Sequence, residues 1–359
     1  MGWQIALASM CFLPWLAACD LQLTQVLPPS ELETSERGAF TSAGRFYVIG
    51  TRAADRSDAG SWIVEITRRS DGGYAATNYV AGTLEGTVEG AVGSAPAGDA
   101  CLFSGMTVRG MSLYAACYAP DGRAALLEVN TDTDTVRAGY FSSCNAEPAS
   151  SPCTYPAFYP NGMAVDAAGN VYLSNMISHI YPSGDTIAIS VEGQGSLVQA
   201  RLDPAASGPG KLSFTHRTWF SADILADGFT PNGIQIEGSV LYYAAGANIN
   251  RVDIRPDGSA GAAALHYRGP ALSYIDDFAV HDGQMVLGRT LPPALVALDR
   301  APAFDTAPEL GTYAMATDAI PSSVNYQADV PTGNPLFPLG SVAVTCFFGG
   351  GLYVLSAQP

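Results

Sequence analysis

Three segments of this 359-residue chain place side-chain oxygens at the same point, directly ahead of an alternating apolar run. They are Pro160-Asn161-Gly162-Met163-Ala164-Val165, Pro231-Asn232-Gly233-Ile234-Gln235-Ile236 and Asp276-Asp277-Phe278-Ala279-Val280. Comparable openings elsewhere bring Glu36, Ser104 and Ser341, and no lysine or arginine is expected to compete with a cation there. Carboxylates, carboxamides and water are the ligands of hard divalent cations, which take six to eight oxygens. If the six openings face one another, they form a candidate cation ring. Asn-Gly is also the commonest two-residue hairpin turn, so turn chemistry is the alternative for Asn161-Gly162 and Asn232-Gly233. Against it, each pair follows a proline and opens a strand whose own turn lies several residues downstream.

The elements that must position these residues repeat. Each unit is a small or Gly-containing turn, an alternating apolar strand, a tight turn, and a second strand of Val/Leu-Tyr-apolar type. The second strands are Arg45-Phe46-Tyr47-Val48, Leu113-Tyr114-Ala115-Ala116, Val171-Tyr172-Leu173, Val240-Leu241-Tyr242-Tyr243, Met285-Val286-Leu287 and Gly351-Leu352-Tyr353-Val354. Period-2 alternation broken by turns such as Ala168-Gly169-Asn170 marks each unit as a β-hairpin. Third strands follow several of them, as at Trp62-Ile63-Val64-Glu65-Ile66 and Asn250-Arg251-Val252-Asp253-Ile254. Six hairpin-led units predict an all-β, six-bladed β-propeller, in which radial repetition buries short strands and the inner strand of each blade opens at one channel mouth. A β-sandwich is the alternative. The run from Ser178 to Gln194 is the largest insertion and a candidate rim or lid.

Composition agrees with a single large β domain. The hydrophobic share is 48% and the charged share 14%, with 38 Gly and 24 Pro, which excludes a disordered chain. Acids outnumber lysine plus arginine by 33 to 17, so a net charge of -16 repels phosphate backbones and excludes nucleic acid as a partner. Met1 to Ala18 is apolar, and Leu16-Ala17-Ala18-Cys19 reads like a bacterial lipobox that would make Cys19 a lipidated N-terminus. An ordinary cleaved signal peptide is the alternative, and the segment lacks the basic residues of a signal n-region. Residues 1–19 are thus expected to be a signal, 20–37 a tether and possible blade-closing strand, and 38–359 the propeller. The only membrane contact expected is the lipid anchor of an exported, periplasmic protein. In an oxidising compartment Cys101 would pair with Cys117 and Cys144 with Cys153, leaving Cys346 as buried filler.

At the ring residues the chain resembles the calcium-dependent propellers that include gluconolactonase/regucalcin, the paraoxonases and related bacterial esterases and lactonases. The Pro-Asn-Gly openings at Asn161 and Asn232 resemble that family's metal-contacting asparagines, and Asp276-Asp277-Phe278-Ala279-Val280 its aspartate-bearing blade. Ser35-Glu36-Arg37-Gly38 is a poorer match to its glutamate. The resemblance implies calcium held by Glu36, Asn161, Asn232 and Asp277, with Asp276 a further ligand or the general base. It departs at Ser104, where paraoxonase-like members carry a histidine, so Ser104 is expected only to contact substrate. His179, past the third hairpin, could overlook the mouth or be a loop residue.

No Gly-x-Ser-x-Gly elbow, phosphate-binding glycine loop or Cys/His zinc cluster occurs. The expected activity is calcium-dependent hydrolysis of a small-molecule ester or lactone, the metal polarising the carbonyl and Asp276 activating water. The rival is a lipid-anchored propeller with structural calcium that binds a protein or glycan. A condensing activity like that of the strictosidine synthase branch lacks a marked catalytic glutamate.

Overall fold

The structure is a computed structural model that describes residues 21–51, 62–81, 101–119, 122–154, 158–176, 178–183, 186–191, 195–221, 231–270, 273–281, 284–299, 309–327 and 335–357. Every regular element among them is a strand. The lipobox and Cys19 lie outside the described residues.

After an N-terminal strand β1 (Leu21–Leu27), blade 1 is β2 (Thr34–Phe40), β3 (Phe46–Thr51), β4 (Trp62–Arg68) and β5 (Tyr74–Ala81). Blade 2 is β6 (Leu102–Arg109), β7 (Ser112–Tyr118), β8 (Ala124–Asn130) and β9 (Thr135–Tyr140). Blade 3 is β10 (Pro160–Val165), β11 (Val171–Asn175), β14 (Ser196–Leu202) and β16 (Phe214–Phe220). It carries two inserts: the separate hairpin β12 (Ser178–Ser183) and β13 (Thr186–Val191), and the short β15 (Gly210–Lys211), which pairs with the edge of blade 2. Blade 4 is β17 (Pro231–Glu237), β18 (Val240–Ala245), β19 (Asn248–Ile254) and β20 (Ala260–Arg268). Blade 5 is β21 (Ile275–His281), β22 (Gln284–Thr290), β23 (Pro293–Asp299) and β24 (Glu309–Ala314). Blade 6 is β25 (Ile320–Tyr326), β26 (Val342–Phe348) and β27 (Leu352–Ala357), and its outermost strand is β1. The chain is therefore a six-bladed β-propeller.

The inner strands β2, β6, β10, β17, β21 and β25 contact one another in that order, and β25 returns to β2. Six apolar clusters fill the spaces between successive blades. Tyr47, Ile63 and Leu127 belong to the one between blades 1 and 2, and Phe46, Val64 and Leu352 to the one that joins blade 6 back to blade 1. Burying both faces of each blade in this way is what makes continuous apolar runs such as Ala124–Leu127 usable as middle strands.

One feature of the expected repeat is corrected. The inner strand of blade 6 is β25, not the segment led by Ser341, which opens the second strand β26. Blade 6 takes its outer strand from the N-terminus, so its C-terminal hairpin is the middle pair of the blade. Cys346 accordingly lies in a second strand, buried and unbridged. The disulfides Cys101–Cys117 and Cys144–Cys153 are both formed, which fits an exported protein.

Candidate functional site

Each inner strand carries an extra residue near its first turn, at the same end of the channel. In β2, β10, β17 and β21 the pairs Glu36-Arg37, Asn161-Gly162, Asn232-Gly233 and Asp276-Asp277 each stand opposite a single residue of the second strand. In β6 and β25 the extra residue is Ser104 and Ser322. A β-bulge bends its strand and re-aims the side chains beside it. Here six bulges aim a ring of polar groups into one mouth. Asn161-Gly162 and Asn232-Gly233 thus sit inside strands rather than at hairpin turns, and a side chain at either glycine would strike backbone: a Cβ at Gly162 would lie 2.2 Å from the Asn232 carbonyl oxygen, and one at Gly233 2.7 Å from the Asp277 Cα.

The ring closes on a guanidinium. Arg37 Nη2 donates to Asn161 Oδ1 at 2.5 Å and to Asn232 Oδ1 at 3.0 Å, and Nη1 stands 2.8 Å from Asp277 Oδ1. Arg37 and Asp277 are each 3% exposed, and both asparagines are buried. The approach of Arg37 Nη1 to Asp277 Oδ1 is an ion pair without hydrogen-bond geometry, which leaves Oδ1 with no hydrogen-bond donor, and Arg37 Nε has no acceptor either. Asp277 Oδ2 accepts from the Val324 amide at 3.2 Å, tying blade 5 to blade 6. Burial alone would lower the Arg37 pKa, but Asp277, Asp276 and Glu36 more than offset it and raise it.

Above this sealed layer Glu36, Asp276 and Tyr274 remain partly accessible. Asn232 Nδ2 donates to the Tyr274 hydroxyl at 2.9 Å and also to Asp276 Oδ1, so one amide holds both groups side by side. Desolvation pushes the Asp276 carboxyl up to about 8, against the pull of Arg37 and with repulsion from Glu36 and Asp277 added. Glu36 is raised for the same first reason, opposed by Arg37 and by a hydrogen bond from Asn161. The phenol of Tyr274 is raised by burial and by Asp276, and stays protonated.

The structure brings together Glu36, Ser104, Asn161, Asn232, Asp276 and Asp277. Ser104 spends its hydroxyl on the Pro160 carbonyl, stitching blade 2 to blade 3. His179 lies in β12, and the register Pro160↔Asn175↔Ser196 puts the β12–β13 hairpin at the ring end of blade 3. Two site residues were missed in the sequence. Arg37 was hidden because a bulge shows two residues, not one, and Tyr274 because nothing but its place directly before β21 marks it.

A calcium ion would need the oxygens that Arg37 already engages. Asn161 Oδ1, Asn232 Oδ1 and Asp277 Oδ1 all face the guanidinium, which brings its own positive charge to the point where the ion would sit. Among the described residues no group of three or more His, Cys, Asp and Glu side chains is arranged to hold a metal. As arranged, the donor set does not fit calcium. A groove of about 520 Å³ lies elsewhere, between the far ends of blades 3 and 4, lined by Asp166, Gln199, Arg201, Arg255 and Asp257.

No family model and no curated protein matches the chain. Among solved structures it is similar to a streptogramin B lyase, at 11% identity and a TM-score of 0.51 over 94% of this chain and 98% of that one. It is also similar to a protein of unknown function from Dyadobacter fermentans, at 11% identity and a TM-score of 0.54 over 94% of this chain and 99% of that one. At such identity the likeness shows the fold alone, a propeller that is compatible with an enzyme.

Proposed function

We propose that the channel mouth hydrolyses a small ester or lactone without a bound metal, Asp276 serving as general base and Tyr274 as the donor to the carbonyl oxygen. The observation that carries this reading is the shared amide of Asn232, which holds a desolvated carboxyl and a protonated phenol next to each other at the partly open floor of the mouth. A base with a pKa near the working pH combines a useful ionised fraction with real proton affinity.

In the step proposed, the Asp276 carboxylate takes a proton from water as the water oxygen bonds to the carbonyl carbon. The displaced electron pair moves to the carbonyl oxygen, where the Tyr274 O–H stabilises it. Collapse of the tetrahedral intermediate breaks the acyl–oxygen bond, and the departing alkoxide takes the proton from Asp276, giving acid and alcohol. Arg37 lies below and fixes Asn232, so it is a positioning residue. The expected outcome with a panel of aryl esters and lactones is turnover that survives a chelator, rises with pH toward a midpoint near 8, and falls about 10²-fold or more in Asp276→Asn. Turnover that needs added calcium, or that Asp276→Asn leaves intact, would contradict it.

The non-catalytic reading is favoured by one observation, the guanidinium that seals the ring much as a structural plug would. On that reading the exported propeller, lipid-anchored through Cys19, binds a protein or glycan at its mouth and turns over nothing in the panel.

A further inference from the structure

We infer that Arg37 is a built-in replacement for a divalent cation, and that removing its guanidinium uncovers a site for a hard divalent ion such as calcium. Three observations converge. The three acceptor oxygens come from three different blades, Asn161 from blade 3, Asn232 from blade 4 and Asp277 from blade 5, and all lie within 3.0 Å of guanidinium nitrogens. A guanidinium from blade 1 holds them inward, so the oxygens are already gathered around one positive centre. The fit to the guanidinium is nevertheless incomplete. Asp277 Oδ1, on a residue 3% exposed, has only an off-axis ion pair, and Nε of Arg37 has no acceptor. A spherical ion has no such directional demand, and calcium accepts irregular oxygen geometry. Asp276 is joined to the same ring through the Asn232 amide, and Glu36 shares the bulge of Arg37, so both carboxyls belong to the ring that surrounds this centre.

The position in the fold fits this substitution. Arg37 occupies the second place of its bulge, where β10 and β17 have Gly162 and Gly233 and β21 has Asp277. The two glycines leave no side chain to compete for the centre, and a Cβ at Gly233 would lie 2.4 Å from Asp277 Oδ1. A single arginine, entering from the first blade, therefore fills a centre that four blades surround. The inference stands whether or not the mouth hydrolyses esters, and its readout is cation binding rather than turnover.

The test uses the purified full chain and calcium alone, with terbium as a luminescent probe that nearby tyrosines can sensitise. Wild type is expected to bind neither ion at the ring, with the same Tm in chelator and in millimolar calcium. Arg37→Ala is expected to lose stability in chelator and to regain about 5 °C in Tm when calcium is present at roughly 100 times its Kd. Arg37→Lys, which keeps a positive charge at the centre, is expected to bind no more calcium than wild type. Adding Asp277→Asn to Arg37→Ala should weaken binding at least tenfold. Wild-type calcium binding that Asn232→Ala abolishes would overturn the inference, since the ring would then hold an ion beside or instead of Arg37. An Arg37→Ala chain that calcium neither binds nor stabilises, folded or not, would overturn it equally.

Discussion

At the residue scale the ring is a problem in buried charge. Three carboxyl groups, Glu36, Asp276 and Asp277, share one guanidinium, and burial pushes the partly open Glu36 and Asp276 toward their neutral forms. Truncating one member of a buried pair leaves the other uncompensated, so Arg37→Ala in the absence of any cation should cost about 3–5 kcal/mol, measurable by chemical denaturation. Asp276 gives a second expectation, of definite sign. Its carboxyl has an ordinary pKa of 3.8 and a folded one of about 8, so between those values the folded chain keeps a proton that the unfolded chain releases. The contribution of this group is present at low pH and lost as pH rises from about 4 to about 8, at up to about 1.4 kcal/mol per pH unit. Asp276→Asn removes that slope. The stability difference between variant and wild type should therefore move in favour of the variant across this window, and an unchanged difference would show that the carboxyl is not desolvated.

At the scale of the element the repeated device is the bulge. A plain strand would alternate its side chains between the two faces of the blade, whereas each bulge turns polar residues along the channel axis and leaves the rest of the strand in register. The bulges also depend on close contact between neighbouring inner strands, where the Ser104 hydroxyl bonds the Pro160 carbonyl and the Gly38 amide bonds the Ser323 hydroxyl at 3.1 Å, and on the second strand of the same blade, where the Gly162 amide bonds the Ser174 hydroxyl at 2.7 Å. Gly233→Ala should therefore destabilise by about 1–3 kcal/mol and disturb the site, because its Cβ meets the Asp277 carboxyl and backbone. Gly208→Ala, where a Cβ meets nothing within 4 Å, is the control expected to stay within about 0.5 kcal/mol in a urea melt.

At the scale of the molecule much of the architecture was legible in the chain, because each hairpin shows as two short apolar strands separated by turn residues, and the pattern recurs from blade to blade. Asn161, Asn232 and Asp276-Asp277 could be located because each precedes a clean alternating run. Blade 6 was misread for a physical reason. Its inner strand, Ile320-Pro321-Ser322-Ser323-Val324-Asn325-Tyr326, packs serines against blade 1 rather than presenting apolar alternation, and the outer strand that would have exposed the shift is β1, at the opposite end of the chain. Arg37 escaped notice because counting one residue per blade stops at Glu36, and only the paired register of β2 and β3 reveals that two residues share the place. Closure between β1 and β27 also makes the ring a property of the whole propeller, since blade 1, which supplies Arg37, packs against blade 6 through Phe46, Phe337 and Leu352. The most direct measurement of the central claim is a high-resolution crystal structure of the chain grown with and without millimolar calcium. The arrangement described here predicts the Arg37 guanidinium between Asn161, Asn232 and Asp277 in both crystals, and a calcium ion at that point, with Arg37 turned away, would contradict it.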